Sequence, residues 1–211
     1  MYVRDYMTTN VITCSPETLV IDAQKMLAEH KIRRLVVMDG DKLVGIVTRS
    51  KLRDVTPSPA TSLSVWELNY LLAKMKVKEV MEKNVITCSP DATIEDAALI
   101  ATIHGVGALP VVDNGKVVGI MTQSDLFNIL TQVLGIGKPG VRLHIQESFI
   151  GKPLGEITSI INEHRIEIYS MFSVTVPRTK RKDLIVRLKT DDASALVADF
   201  RARGYTVEVS K

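Results

Sequence analysis

The residues best suited to binding chemistry lie at Gly119–Asp125, where a predicted strand meets a predicted helix. Free backbone N–H groups and the helix dipole at such a junction favour a phosphate group. The Thr122 hydroxyl can donate a hydrogen bond, and the Asp125 carboxylate can accept from both hydroxyls of a ribose. The same Thr-x-x-Asp spacing is typical of a capping box, with Thr122 as N-cap. The residues alone leave both roles open, and one residue can serve both.

An earlier stretch, Gly45–Lys51, has the same pattern but a different charge. Lys51 stands where the later stretch has Asp125, and lysine cannot accept a hydrogen bond from a ribose hydroxyl. Arg33 and Arg34 form a basic group with Lys51. We therefore expect the earlier stretch to supply positive charge for phosphate and the later one to hold ribose. The alternative is that Arg33 and Arg34 are solvated charges at a strand edge.

Both stretches belong to an internal repeat. Residues 3–55 align with residues 77–129 without a gap, at an offset of 74 residues, and NVITCSP occurs in both copies. Each copy predicts a short extended segment, a Ser-Pro turn, a helix, two strands around a polar turn, and a second helix. The order β-α-β-β-α therefore occurs twice, in residues 1–56 and 77–134. Duplicated units commonly bury their apolar faces against each other.

The repeat resembles the CBS motif pair, also called a Bateman module. The resemblance is carried by PVVDNGKVVGIMTQSD at Pro110–Asp125 and by the two SPxxxxxDA segments. In that family the Thr-x-x-Asp ending binds a nucleotide. The resemblance implies an internal pseudo-dimer whose clefts bind adenosine ligands and which usually dimerises further. Because Lys51 departs from the family's Asp, we expect one good adenylate site per chain.

The predicted adenylate site draws on both copies of the repeat. Its ligand would be AMP, ADP, ATP or S-adenosylmethionine, bound as a regulatory ligand. The predicted members are the ribose-binding residues of copy two, the basic residues of copy one, and three residues flanking the base: Thr122, Ser124, Asp125, Arg33, Arg34, Lys51, Ser15, Pro16 and Val20.

The chain after the repeat predicts a second domain, which makes the fold class α+β. Residues 135–140 are expected to be a linker, and apolar spacings over 141–211 predict β-α-β-β-α-β, the ferredoxin-like arrangement. This region resembles an ACT domain, through KPLG at 152–155 and GYTV at 204–207. ACT domains usually pair side by side and bind amino acids or other small ligands, which implies Gly151 as a contact. A glycine needed only for turn geometry is the alternative.

Residues 57–76 separate the two copies and predict an amphipathic linker helix, with Leu63, Trp66 and Tyr70 at helical intervals. Core or dimer packing is its expected role. The SVWEL segment of this insert and the CBS-plus-ACT architecture together resemble the accessory proteins of bacterial acetoin utilisation.

Composition indicates which kinds of partner the chain is not expected to bind. The net charge of +3 is too small and too dispersed to indicate a nucleic-acid partner. No apolar run approaches the roughly 20 residues that cross a bilayer, and the first ten residues lack the apolar core of a signal peptide. We therefore expect no membrane partner and a cytoplasmic protein. Cys14 and Cys88 occupy equivalent repeat positions, so we expect two packed thiols, no disulfide and no metal.

Together these features predict a homodimeric regulatory protein that senses adenine nucleotides in its CBS cleft and transmits binding through the ACT domains. The alternatives are an amino-acid sensor that uses the CBS pair as a dimerisation scaffold, and an assembly platform that binds no small molecule. We do not expect an enzyme. The barrel that holds the chemistry of CBS-containing inosine monophosphate dehydrogenases needs about 250 residues, and His144 and His164 have no evident carboxylate partner.

Overall fold

The computed structural model describes residues 1–54, 74–146, 154–179 and 181–210. These residues form two compact units that divide between Leu126 and Phe127. Most of the predicted insert helix, including Leu63, Trp66 and Tyr70, lies outside the described residues, and so does Gly151. Within the described part of the chain, no helix is long and apolar enough to span a membrane.

The first unit contains both copies of the repeat. Copy one forms a 3-10 turn at Val3–Asp5, then β1 (Thr13–Cys14), α1 (Val20–Glu29), β2 (Arg34–Asp39), β3 (Lys42–Thr48) and α2 (Arg49–Asp54). Copy two forms a 3-10 turn at Val77–Glu79, then α3 (Ile94–Ile103), β4 (Ala108–Asp113), β5 (Lys116–Thr122) and α4 (Gln123–Val133), whose last residues belong to the second unit. The counterpart of β1 in copy two is a single parallel bridge from Cys88 to Val111.

Two tight hairpins give each copy its antiparallel strand pair. β2 pairs with β3, and β4 pairs with β5. In the second hairpin Asn114 and Gly115 have φ angles of 48° and 80°, the left-handed values that a two-residue turn with the twist of its strands requires. Because Asn and Gly tolerate these angles, the turn fixes the register that carries Thr122 to the end of β5.

The helix α1 packs one face onto the sheet of copy one. Val20, Ala23 and Leu27 recur at helical spacing and are almost fully buried. They pack with Leu35 and Val47, among others, in one hydrophobic cluster. This packing fixes where β2 begins and where β3 ends, which are the two places that carry the polar residues of the repeat.

The first segment of each copy forms backbone hydrogen bonds with the other copy. The N–H of Val3 donates to the carbonyl of Ala92 at 2.9 Å, and the N–H of Val77 donates to the carbonyl of Thr18 at 2.8 Å. Farther along, Thr8 forms an isolated antiparallel bridge with Ile120, and the equivalent bridge joins Glu82 to Ile46. All of these pairs are related by the repeat offset. The first segment of each copy is therefore paired with the other copy.

The second unit is a four-stranded antiparallel sheet with two helices. Its elements after α4 are β6 (Val141–Gln146), α5 (Leu154–Glu163), β7 (Ile168–Thr175), β8 (Lys182–Leu188), α6 (Ser194–Ala202) and β9 (Thr206–Ser210). The strand order is β7-β8-β6-β9. Leu143, Ile145, Ile160 and Phe200 are fully buried in one core shared by the sheet and the helices.

Candidate functional site

A cleft of about 340 Å³ in the first unit is lined by both copies of the repeat. We call it the mixed cleft. Copy one contributes the segment before β1 and the entry to β2, whereas copy two contributes the end of β5 and the start of α4. The lining residues are Thr8, Asn10, Val11, Ile12, Lys31, Ile32, Arg33, Arg34, Ile120, Thr122, Ser124 and Asp125. The volume lies within the roughly 300–1,000 Å³ usual for small-molecule sites.

Thr122 and Asp125 form a capping box at the start of α4. The Thr122 N–H and hydroxyl donate to Asp125 Oδ2 at 2.8 and 2.6 Å, and the Asp125 N–H donates to Thr122 Oγ1 at 3.3 Å. Among the described residues, Asp125 Oδ1 has no hydrogen-bond partner. One carboxylate oxygen therefore caps the helix, while the other remains able to accept hydrogen bonds from a ligand. The structure thus accommodates both roles that the sequence leaves open.

Arg34 extends from copy one to copy two. Its guanidinium lies against Gly107, the residue just before β4, so that a Cβ built on Gly107 would come within 2.8 Å of Arg34 Cζ. The same Cβ would lie 3.2 Å from Oε1 of Gln123, the first residue of α4. By the repeat offset, Gly107 is the counterpart of Arg33. The missing side chain in copy two therefore makes room for the arginine of copy one.

In the described part of the chain, the basic residues of the mixed cleft have no acidic partners. Within the described ranges, no carboxylate lies within 4.0 Å of the charged nitrogens of Lys31, Arg33 or Arg34. Partial burial lowers the pKa of Arg34, and the neighbouring charge of Arg33 lowers it further. Both effects disfavour the unpaired cation, so an anion in the cleft would relieve them.

A second cleft, of about 290 Å³, shares Arg33 and Arg34 with the mixed cleft. We call it the arginine cleft. Its remaining lining residues are Thr48, Arg49, Ser50 and Arg53. The Arg49 Nη2 group donates to the carbonyls of Leu27 and Ile32, each at 3.0 Å, which holds the guanidinium in place.

The predicted site residues divide into two groups. Arg33, Arg34, Thr122, Ser124 and Asp125 come together in the mixed cleft. The remaining four predicted members do not line it, and they are Ser15, Pro16, Val20 and Lys51.

The residues outside the mixed cleft have other contacts. The Pro16 carbonyl accepts from the N–H of Lys78, and the Ser15 hydroxyl accepts from the N–H of Glu17. Val20 is 2% exposed, because it is the first core-facing residue of α1. Lys51 is exposed, and its N–H donates to Thr48 Oγ1 at 3.2 Å.

Asn10, Val11, Ile12 and Lys31 line the mixed cleft although the sequence did not single them out. Val11 and Ile12 belong to the NVITCSP segment that both copies share. The feature that marks these residues is structural. The residues before them pair with copy two, as the bridge between Thr8 and Ile120 shows. That pairing brings the segment to the end of β5.

The two cysteines are free thiols, as the repeat predicts. Cys14 and Cys88 are 7% and 6% exposed, and burial raises the pKa of each thiol to about 11. They are therefore protonated packing residues at neutral pH. In the residues that the structure covers, no group of three or more His, Cys, Asp or Glu could hold a metal ion.

The expectation that the second-unit histidines have no carboxylate partner was wrong. His144 Nε2 on β6 lies 2.7 Å from Oδ2 of the buried Asp183 on β8, and Arg181 Nε donates to Asp183 Oδ1 at 2.8 Å. His164 Nε2 lies 3.3 Å from Asp199 Oδ2. Sequence spacing gave no sign of these pairs, because sheet register and helix packing bring them together.

Comparison with known proteins identifies the repeat. The CBS domain family profile matches residues 3–57 and 77–132, just over half of the chain. A CBS domain-containing protein of Dictyostelium discoideum is 34% identical over 134 residues, which is 63% of this chain and 92% of that protein. The chain therefore belongs to the CBS domain family, and its first unit is a tandem CBS pair. An inosine-5'-monophosphate dehydrogenase of Korarchaeum cryptofilum is 37% identical, but the match covers 59% of this chain and 23% of the enzyme.

Solved structures with the same fold include ligand complexes. CBSX2 in complex with AMP has 29% identity and a TM-score of 0.52, over 63% of this chain and 97% of that one. The CBS domain pair of protein MJ0100, in complex with 5'-methylthioadenosine and S-adenosyl-L-methionine, has 27% identity and a TM-score of 0.51, over 62% and 95%. A putative acetoin utilization protein from Vibrio cholerae has 28% identity and a TM-score of 0.54, over 64% and 94%.

Proposed function

We propose that this protein is a non-catalytic regulatory sensor that binds an adenine nucleotide in the mixed cleft. The observation that carries the proposal is the composition of that cleft. Among the described residues, a carboxylate with one unengaged oxygen, from copy two, shares the cleft with three cations from copy one that have no carboxylate partner. Solved CBS pairs that hold AMP, or S-adenosyl-L-methionine and 5'-methylthioadenosine, support the class of ligand.

Each part of an adenylate has a complementary surface in the cleft. Asp125 Oδ1 would accept from the ribose hydroxyls, and Thr122 would hold the carboxylate in place through its hydrogen bonds to Oδ2. Arg33 and Arg34 would bind the phosphate, since guanidinium groups form strong charge-assisted hydrogen bonds with phosphate oxygens. The apolar side chains of Val11 and Ile12 would contact the base.

The counterpart site of the repeat is unsuited to a nucleoside. There Thr48 is followed by Lys51, which has no acceptor for ribose hydroxyls. We therefore propose one adenylate site per chain.

The second unit would transmit the signal. We propose that it is an ACT-like domain with the ferredoxin-like fold, and its β-α-β-β-α-β element order and β7-β8-β6-β9 strand order support this. We further propose a cytoplasmic homodimer, and the likeness to the Vibrio cholerae protein supports a role in acetoin or carbon catabolism. An amino acid bound by the second unit is the second candidate signal.

Asp125→Asn separates nucleotide binding from helix capping. Asparagine keeps one oxygen to accept from Thr122, but it replaces the ligand-facing oxygen with an NH₂ donor. Asp96→Asn is the matched control, since at α3 the Thr93 hydroxyl donates to Asp96 Oδ2 and accepts from the Asp96 N–H, as Thr122 does with Asp125, and Asp96 does not line the mixed cleft. Each change weakens a cap by about 0.3–1 kcal/mol, through the lost charge near the helix N-terminus.

The assay is thermal unfolding of both variants and the wild type with AMP, ADP, ATP, S-adenosylmethionine or amino acids. A ligand at a hundred times its Kd stabilises the native state by about 2.7 kcal/mol. We expect an adenylate to raise the Tm of the wild type and of Asp96→Asn, and to raise that of Asp125→Asn far less. An equal rise in all three proteins would contradict the site. A rise in Tm with amino acids alone would indicate that the second unit is the sensor.

A further inference from the structure

The arginine cleft adjoins the proposed nucleotide site. Arg33 and Arg34 line both clefts, so a phosphate held by these two residues borders the second cavity. In the strand register Arg34 is paired with Thr48, and the N–H of Arg49 donates to the Arg33 carbonyl at 2.9 Å. These contacts keep the lining residues of the arginine cleft next to the Arg33–Arg34 wall.

The chemistry of the arginine cleft is that of a polyphosphate site. The six described residues that line it are four arginines and two hydroxyl residues, with no carboxylate among them. Thr48 Oγ1 and Ser50 Oγ lie 3.0 Å apart and can both turn toward an anion. An arginine has five N–H donors, and Arg49 uses one nitrogen for its two backbone carbonyls, which leaves other donors for a ligand.

A second nucleoside does not fit this chemistry. The position that would accept ribose hydroxyls is occupied by Lys51, and that side chain does not line the cleft. S-adenosylmethionine would place a sulfonium cation beside Arg33 and Arg34, which like-charge repulsion disfavours. AMP would leave the arginine cleft without an anion. A chain of two or three phosphates, by contrast, would carry further anionic oxygens toward the arginines of that cleft.

Resting on the proposed function, we infer that the arginine cleft binds the terminal phosphates of the nucleotide, so that the chain selects ATP, and to a lesser degree ADP, over AMP and S-adenosylmethionine. Arg49 and Arg53 are then the residues that determine this selectivity. The ribose and the first phosphate remain in the mixed cleft.

Arg53→Gln is the first test variant. Its side chain is largely exposed and its pairing with the adjacent Asp54 is long, at 3.9 Å, so the substitution leaves the fold intact. Arg49→Gln is the second and stronger test, although it also removes two hydrogen bonds to backbone carbonyls. Lys42→Gln is the control, because it removes the same charge from an exposed hairpin residue that lines neither cleft.

The experiment is isothermal titration of the full chain with AMP, ADP and ATP at fixed ionic strength. We expect the wild type to bind ATP about tenfold or more tightly than AMP, since additional phosphates meet additional arginines. Arg53→Gln and Arg49→Gln should each reduce the ATP-to-AMP affinity ratio by about three- to tenfold, and Lys42→Gln should leave the ratio within about twofold.

Three outcomes would overturn the inference, and they differ in what they imply for the proposed function. AMP binding as tightly as ATP, with the ratio unchanged in both arginine variants, would refute the polyphosphate site and leave the adenylate site intact. Failure of the wild type to bind any of the three nucleotides would refute both. Loss of all nucleotide binding in Arg53→Gln, AMP included, would also refute the division of labour between the two clefts.

Discussion

Replacing Gly107 with alanine tests whether the Arg34 guanidinium holds a phosphate, without touching a charged residue. The new Cβ would lie within 2.8 Å of Arg34 Cζ and 3.2 Å from Gln123 Oε1, so one neighbour must move. The far end of Arg34 moves at the lowest cost, because it is a flexible side chain that is only half buried. The substitution therefore displaces the guanidinium while the backbone stays in place.

The expected effect falls on binding rather than on folding. A hydrogen bond to a charged group contributes about 1.5–3 kcal/mol, so loss of the Arg34–phosphate contact should weaken adenylate binding roughly ten- to hundredfold. Gly107 has no positive φ angle, so alanine meets no backbone strain there. Alanine also restricts the unfolded chain, which favours the native state by about 0.4–1 kcal/mol. The free energy of unfolding should therefore change by less than about 1 kcal/mol.

The assay combines isothermal titration with adenylates and urea unfolding of the ligand-free protein. Gly155→Ala is the matched control, because it adds the same methyl group at a glycine of α5, where no described atom outside its own stretch of helix lies within 4 Å of the new Cβ. An unchanged nucleotide affinity in Gly107→Ala would refute the role given to Arg34. Equal losses of affinity in both variants would point to a cause other than the displaced guanidinium.

Two further predictions concern ionisable groups outside the clefts. Hydrogen bonds from Lys76 and Lys78 lower the pKa of Glu17 from its ordinary 4.5 to about 2, so its contribution to stability is complete above pH 4.5 and is lost as the pH falls toward 2. Urea unfolding should therefore show a stability difference between wild type and Glu17→Gln that shrinks over this range, and also in about 1 M salt, where charges are screened beyond roughly 3 Å; a difference independent of both pH and salt would contradict it. The pKa of about 11 keeps Cys14 and Cys88 protonated near about pH 8. Ellman's reagent should thus modify them slowly in the native protein and rapidly in denaturant, and fast native labelling would show that they are not buried.

The sequence predicted the strands and helices that carry the site more completely than it predicted which residues come together there. Strand alternation and helical spacing located β4, β5 and α4, and the Thr-x-x-Asp spacing predicted the cap that Thr122 and Asp125 form. These features depend on neighbours within a few residues. The His144–Asp183 pair was missed, because its members are 39 residues apart and meet only through strand register.

The predicted base-flanking residues also depend on packing that lies beyond their neighbours in the sequence. Ser15 and Pro16 were predicted to flank the base, and this stays a prediction; in the structure the Ser15 hydroxyl accepts from the N–H of Glu17 and the Pro16 carbonyl accepts from the N–H of Lys78. Val20 faces the core, because α1 must bury a stripe that includes it. Which face of a segment lines a cleft depends on which residues pack against its other face. Local sequence spacing does not predict that packing.

The sequence by itself determined the duplication, the order of the elements, the turn at Asn114 and the charge difference between Lys51 and Asp125. These follow from letter identity, periodicity and backbone preference, all of which are local properties. The sequence predicted that Arg34 shares a site with copy two, but only the tertiary structure decided that its guanidinium lies against Gly107. That position depends on the pairing of the first segment of each copy with the other copy and on the absence of a side chain at Gly107. Pairing between segments so far apart is decided by the packing of the whole unit.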